Sequence, residues 1–366
     1  MRIALIELRR RPGRFAPAAV ALVLLTLLLL VLGGLLDGLY NGSSGALRAQ
    51  PGELISYSSD AKLSLVRSRI EPATATTVEG VTGVEAAGGL GTALLGAEVP
   101  GQTDEASVAL FGYESAPSGI PSAPPQTGEV YADRSLAAYG VKKGQTLLLG
   151  PGKYPVTVIG WASDTNFLLQ GALWGSLDTW QAALATARPD AVLAPGTVQA
   201  LTIAISRGAN AHEVATAIDD ATGGATHTVT RAEAVASLPG LDQQRTTFNS
   251  IIYTTFFVAA LVVSLFFALL TLERIGMYAV FKAVGASSRQ IFFQVLLQAV
   301  VIAAISFAIG ALLALGASFV IPPQVPVQLT TTRALEVAVG LIIMSIVGVA
   351  VSLRRVVRID PASAIG

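Results

Sequence analysis

Very few side chains in this 366-residue chain are equipped for bond-making chemistry, and their spacing rules out its commoner kinds. There is no cysteine, which excludes thiol nucleophiles, disulfides and zinc–thiolate sites. The two histidines, His212 and His227, lack the i, i+4 spacing of a helical metal pair. Tyr40, Tyr253 and Met344, with the two histidines, have atoms able to ligate iron, yet each also has an ordinary packing or surface role. The stretch GVKKGQT carries its lysines before its glycine, so it cannot form the backbone cradle and following hydroxyl that a nucleotide and magnesium require. The chain therefore has no phosphate loop with which to hydrolyse ATP. What remains is one concentrated, charged stretch, ERIGMYAVFKAVGASSRQI at 273–291, set between two long apolar runs.

The elements that must position that stretch are membrane helices. Hydrophobic residues make up 52% of the chain and charged ones 13%, and the mean hydropathy of +0.61 is too high for an ordinary soluble domain. Four runs have the ~20 mainly apolar residues needed to cross a hydrocarbon core: Phe15–Leu36, Phe248–Leu272, Phe292–Ile321 and Val337–Leu353. None contains Asp, Glu, Lys, Arg or His, which argues against ion-driven transport and intramembrane proteolysis. Asp37 stands at the interface just past the first run.

Charge sets the orientation. Of the 24 Lys and Arg, 12 lie between Asn41 and Arg245, and eleven of the rest fall in three short segments, leaving only Arg333 in the other short loop. By the positive-inside rule those three segments, at the start, at 273–291 and at the end, are cytoplasmic. Residues 41–245, with 19 acidic against 12 basic side chains, are then extracytoplasmic. The opening MRIALIELRRRPGR reads as a helix at the cytoplasmic interface, its arginines at anionic headgroups; membrane lipid is thus an expected partner and nucleic acid is not. The first apolar run is longer than the ~7–15 residues of a cleaved signal's core.

The resulting expectation is an α-helical membrane protein with four transmembrane helices and a large extracytoplasmic α/β domain between the first and second. Its parts are an interfacial helix at 1–14, a first span at 15–40, the external domain at 41–245, a second span at 246–272, an elbow at 273–291, a third span at 292–321, an external loop at 322–336, a fourth span at 337–353 and a tail at 354–366. Within the external domain, strands are expected at Val130–Ala132, Leu201–Ser206 and Thr226–Thr230, with a hairpin of Thr146–Leu149 and Tyr154–Trp161 about the turn GPGK. Helices should open at Asp133, closing at Gly140, and near Ser176 and Asn210, the last stopped by Gly223. The Pro/Ser/Gly stretch at 115–128 is a loop.

The elbow reads as a stiff turn aimed into the cytoplasm. Met277, Val280, Phe281 and Val284 share one helical face, Gly285 breaks the helix, and Ser287 with Gln290 forms a capping box that starts the next. A membrane protein with no engine of its own and a shaped cytoplasmic elbow suits being driven by a separate protein.

The stretch LERIGMYAVFKAVGASSRQI closely resembles the motif of the FtsX-like permeases of the MacB/FtsX/LolC/HrtB type, the type VII ABC transporters, in which an acidic–Arg pair precedes a Lys-Ala-hydrophobic-Gly-Ala-Ser run. The ending RRVVRIDPASAI and the opening ALIELRRRPGRF resemble the same family, as does the whole layout. The resemblance implies that the elbow is the coupling helix docking on a separate ABC ATPase that binds ATP and magnesium. It implies too that two copies pair as a homodimer, and that the chain itself is not an enzyme and carries no cofactor or metal. The coupling residues would be Glu273, Arg274, Met277, Phe281, Lys282, Gly285, Ala286, Ser287 and Arg289. Met277–Tyr278 replace the motif's usual second acidic residue. The external SDTNFLLQGALWGSLDTWQAAL has a likeness to the HrtB/DevC branch, which makes haem the first expectation for a hydrophobic or amphipathic exported substrate. The runners-up are an FtsX-like regulator that activates a cell-wall hydrolase outside and a lipid- or lipoprotein-extracting permease. A substrate pocket is expected at the outer ends of the first two spans, from Tyr40, Phe248, Ile252, Tyr253 and Phe256, with Phe257 beside them.

Overall fold

A computed structural model describes residues 12–191, 193–273, 287–322 and 325–356. In chain order its elements are α1 (Pro12–Arg48), β1 (Leu54–Ser58), α2 (Pro72–Glu79), β2 (Val84–Glu98), β3 (Ala106–Tyr113), β4 (Glu129–Asp133), a 3-10 turn (Arg134–Tyr139), β5 (Thr146–Leu149), β6 (Tyr154–Ala162), β7 (Gly171–Gly175), α3 (Leu177–Ala187), β8 (Ala200–Ile205), α4 (Ala211–Ala221), β9 (Thr226–Thr230), α5 (Arg231–Ala236), α6 (Leu241–Leu272), α7 (Ser288–Ser318) and α8 (Thr331–Val356). They divide into two compact units, one carrying residues up to Gly38 and from Gln244 onward, the other Leu39–Gln243.

The first unit is helical. Parts of α1, α6, α7 and α8 are each long and apolar enough to cross a membrane: Gly13–Arg48, Leu241–Leu272, Phe292–Ser318 and Thr331–Ser352. The helices overrun the apolar limits read from sequence, α1 continuing to Arg48 and α6 starting at Leu241. On α6 the buried positions Ile252, Thr255, Ala259, Val263 and Phe267 recur every three or four residues, while Tyr253, Phe257, Leu261, Leu265 and Leu269 on the opposite side are exposed. Small residues let the backbones close up. A Cβ on Gly310 of α7 would sit 2.6 Å from the Thr26 Cβ of α1, and one on Gly348 of α8 would sit 2.7 Å from the Ala260 carbonyl oxygen of α6.

The second unit is a nine-stranded mixed sheet. Because β3 pairs with both β7 and β2, six strands in the order β2-β3-β7-β4-β6-β5 close on themselves, and β2 runs on into an open sheet β2-β8-β1-β9. The pairs β3/β7 and β4/β6 are parallel, the others antiparallel. Side chains alternate between two cores, as the two-residue period of a strand requires. From β3, Val108 and Leu110 join a cluster to which all six ring strands contribute, with Leu173, Val130, Val158, Leu147 and Ala97. The alternate residues Ala109, Phe111 and Tyr113 face a second cluster with Leu47, Ile55, Trp174 and Leu241. There Phe111 stacks on Trp174 at 4.5 Å between ring centroids and meets Phe167 edge-on at 5.4 Å.

Two buried rings carry polar handles. Burial pushes the Tyr57 hydroxyl well above the usual phenol range, and that hydroxyl has no hydrogen-bond partner. Burial, then the neighbouring Tyr131, pushes Tyr113 up to about 12. On the face of β2 and β3 that carries Val108 and Leu110, the directly paired Gly91 and Gly112 leave a notch filled by Trp180 of α3. The ring would lie 2.5 Å from a Cβ on Gly91. The sheet ends at β9, whose amide at Thr228 donates to the Asp219 carboxylate at 3.0 Å, and Thr226 and Thr228 donate their hydroxyls to the same group. A carboxylate thus occupies the edge where another strand would add.

The expected strands at 130–132, 201–206 and 226–230 and the hairpin at 146–161 are present within a residue or two. Asp133 accepts from Ser135 N–H and Gly140 takes a φ of +83°, but the turn between them is 3-10 rather than α. Ser176 and Asn210 cap α3 and α4 as expected.

Candidate functional site

The elbow is described only at its ends. Arg274, Met277, Phe281, Lys282, Gly285 and Ala286 lie outside the described residues, as do residues 1–11 and 357–366. At the near end the Glu273 amide donates to Leu269 O at 3.0 Å, closing α6, and the Glu273 carboxylate pairs with Arg14 in the first turn of α1. At the far end the capping box is formed in full. Gln290 N–H donates to Ser287 Oγ at 3.2 Å, and Ser287 N–H donates to Gln290 Oε1 at 3.0 Å. The Arg289 guanidinium stands over the Phe293 ring at 5.6 Å. Both ends of the elbow are thus fixed by local chemistry, and Ser287 and Arg289 are exposed.

The candidate pocket residues part company. Ile252 is buried, and Phe248 and Phe256 are half-buried against the same core of the helical unit. Phe256 fills the space over Gly340 of α8, where a Cβ would come within 2.5 Å of its ring. Tyr253 and Phe257 point the other way and are 70% and 62% exposed. Tyr40 belongs to the other unit, half-buried against the Phe111–Trp174 cluster, with the Arg48 guanidinium 5.6 Å from its ring centre. His212 and His227 are exposed, and among the described residues no three His, Asp or Glu side chains are grouped to hold a metal. Trp180 of α3, within the stretch SDTNFLLQGALWGSLDTWQAAL, is a buried packing residue in its glycine notch.

A polar cluster that sequence reasoning did not assemble joins Asp37, three turns before the end of α1, to the first turn of α8. Arg333 donates Nη2–H to Asp37 Oδ1 at 2.6 Å and Nε–H to Asp37 Oδ2 at 3.2 Å, a bidentate pair whose side chains are each about one-fifth exposed. Thr330 Oγ1 donates to Asp37 at 3.1 Å and accepts from Arg333 N–H at 3.2 Å, and Arg333 Nη1 reaches Glu336 at 2.9 Å. The segment 326–329 lies across α1 where Gly34 and Gly38 remove side chains, Gly33 leaves room for the Arg333 side chain, and Gln328 N–H donates to Gly34 O at 2.9 Å. The available signal was that Asp37 is the acid ending the first apolar run and Arg333 the lone base of the external loop. Nothing local links residues so far apart in sequence.

Residues 249–361 match the family described as FtsX-like permease C-terminal. An uncharacterised ABC transporter permease of Mycobacterium tuberculosis is 39% identical over 140 residues, covering 38% of this chain and 40% of that protein. A putative hemin transport system permease protein, HrtB, of Staphylococcus epidermidis is 24% identical over 139 residues, again 38% of this chain and 40% of its own length. The chain thus spans about two-fifths of the length of these relatives. Among solved structures, the periplasmic region of MacB from Actinobacillus actinomycetemcomitans aligns with 51% of this chain and 92% of its own at a TM-score of 0.36 and 14% identity. The extracellular domain of the noncanonic ABC-type transporter YknZ from Gram-positive bacteria aligns with 49% of this chain and 98% of its own at 0.33 and 15%. Four helices able to span a membrane, with a sheet domain between the first and second, are the arrangement of a multi-pass membrane protein, and residues 249–361 match the C-terminal domain of the FtsX-like permeases.

Proposed function

We propose that the chain is the permease subunit of an ABC transporter, driven through the elbow at 273–291 by a separate ATPase and exporting a hydrophobic or amphipathic molecule. The observation that carries this reading is the family match over 249–361, which contains the elbow and the three helices around it. Support comes from the formed capping box at Ser287–Gln290, which gives the elbow a fixed exit, and from the arginine-rich segments, which orient it toward the cytoplasm by the positive-inside rule. Arg274, Lys282 and Arg289 are then the cations, and Met277 and Phe281 the apolar contacts, offered to the ATPase. A second copy of the chain completes the transporter. Its lipid- and partner-facing surfaces are drawn from the exposed faces of the four helices, where Tyr253 and Phe257 replace the inward-packed Ile252 and Phe256 as the groups able to meet a substrate. Haem is the first substrate to test, because a hemin-transport permease is among the relatives and a flat apolar ligand needs no charged partner in the spans.

The purified chain should turn over no ATP alone and should restore turnover only with its ATPase, in a manner raised by haem. ATP hydrolysis by the chain free of any ATPase defeats the reading at its root. A stimulated complex indifferent to haem, in both its turnover and its absorption spectrum, removes haem and leaves the permease assignment standing.

A further inference from the structure

The stretch SDTNFLLQG between β6 and β7 breaks a local rule. Phe167 and Gln170 exchange both backbone hydrogen bonds at 2.9 Å, so Leu168 and Leu169 are the two central residues of a tight hairpin turn, with φ of +49° and +66°. Such turns favour Asn-Gly, because both positions need left-handed backbone. Two leucines hold it here, and Asp164 just before them is also left-handed, at +58°. A turn so ill-suited to its residues persists only when its surroundings dictate it.

Those surroundings are the last turns of α1, in the same unit. Leu168 N–H donates to Ser43 O at 3.1 Å, Leu169 N–H donates to Gly42 O at 2.9 Å, and Ala46 N–H donates back to Asn166 O at 2.9 Å. The approach depends on missing side chains, since a Cβ on Gly45 would lie 2.5 Å from Asp164 O and one on Gly42 would lie 3.0 Å from Leu169 Cδ2. This accounts for NGSSG, a run of poor helix formers inside α1. The loop's other end is tied to the ring. Asp133, at the end of β4 and only 3% exposed, accepts from Thr165 N–H at 2.9 Å and Thr165 Oγ1 at 2.8 Å, while Ser135 Oγ donates to Asn166 Oδ1 at 2.8 Å.

We propose that the loop Asp164–Gln170 is the joint through which α1 positions the six-strand ring, so that a movement of α1's last turns is passed by way of Asn166, Thr165 and Asp133 to β4. The proposal deepens the transporter reading and rests on it for the force that moves α1. Asp133 and Thr165 are positioning residues, contiguous by hydrogen bonds from the helix to the strand.

Amide hydrogen exchange of the full chain in lipid nanodiscs tests the joint, alone and with the ATPase subunit and ATP. In the chain alone, Gly45→Ala should speed exchange at Leu168 and Leu169, and at Ser135, by roughly tenfold or more, the effect of losing a hydrogen bond or so. Gly316→Ala, at a helix glycine with open space around it, should leave them unchanged. Thr165→Val should loosen 164–170 from Asp133 and Thr165→Ser should restore it, which keeps the test open if Gly45→Ala fails to fold. With ATPase and ATP, exchange over 129–139 should respond in the wild type and Thr165→Ser, and stop responding in Thr165→Val and Gly45→Ala. Exchange at Ser135 unmoved by Gly45→Ala and Thr165→Val, or an ATP response over 129–139 that survives both, overturns the joint. The absence of any ATP response over 39–48 in the wild type counts instead against the transporter reading.

Discussion

Large apolar side chains stand on the outside of α1, α6, α7 and α8 as thickly as on the inside, whereas among the described residues of the Leu39–Gln243 unit only Tyr139 and Leu169 are exposed. In the helical unit an apolar residue does not say which way it faces, since lipid is as apolar as the core. Orientation there rests on the few positions with no side chain and on polar pairs: Gly310 against Thr26, Gly348 against Ala260, Asp37 with Arg333 and Arg14 with Glu273. In the Leu39–Gln243 unit water sorts the side chains, and the paired Gly91 and Gly112 let one particular bulky group sink in. Gly310 and Gly348 thus set the distance between helices in one unit and Gly91 and Gly112 cut a notch in the other, while Gly340 under Phe256 and Gly45 beside the Asp164 carbonyl show that each unit also uses the other device.

The largest effect that would sharpen this contrast is expected in the Leu39–Gln243 unit. Gly112→Val would place its Cβ 2.7 Å from that of Trp180 and 2.9 Å from the Leu177 Cα, so α3 must shift. We expect a loss of about 3 kcal/mol in thermal unfolding of the full chain. Gly316→Val in α7, with nothing within 4 Å, should cost far less; equal losses would erase the distinction. Next comes the polar pair. Arg333→Met leaves Asp37 without its cation and should cost about 2 kcal/mol, less than a fully buried pair because both side chains are partly exposed. Adding Asp37→Asn should recover part of the loss, and a double variant worse than the single would show that the pair is not what holds α1 to α8.

How much of this was legible in the sequence follows the same division. Asp133, Ser176, Asn210 and the Ser287–Gln290 box were readable because a cap is a matter of residues two or three apart. β2 was not. VEAAGGLGTALLGAE has almost none of the β-branched and aromatic residues that signal a strand, and its glycines are there for Trp180 and for the side chains of Ser115 and Glu105. β7, GALWG, is too short to show a period. The first span reads from sequence as stopping at residue 40, yet NGSSG at 41–45 lies within α1, its small residues giving space to a loop more than a hundred residues later. Of the candidate site, the facing of Phe248, Ile252 and Phe256 against Tyr253 and Phe257 could not be read from a helix apolar on all sides.

The smallest effect concerns pH and belongs to the Leu39–Gln243 unit. Tyr57 and Tyr113 hold their protons more tightly when folded than the ordinary phenol value of 10, so their contribution is complete below pH 10 and is lost as pH rises from 10 through the raised values, about 12 for Tyr113. Tyr57→Phe should be neutral or slightly stabilising at pH 7, since its hydroxyl is buried without a partner, and should flatten the alkaline decline. An unchanged alkaline midpoint in that variant would mean that Tyr57 is not among the groups that set it.

The pairing of β1 with β9 also has a consequence in time. Leu54–Ser58, the first strand synthesised, lies between β8 and β9, and Arg231 at the start of α5 closes the sheet by donating to the carbonyls of Gln50 and Glu53. The first strand must therefore wait, unpaired, until nearly the whole insert has been made, and the sheet can be completed only when the ribosome is already approaching α6. Retention at the membrane by α1 during that interval would keep the waiting strand close to the place where its partners emerge.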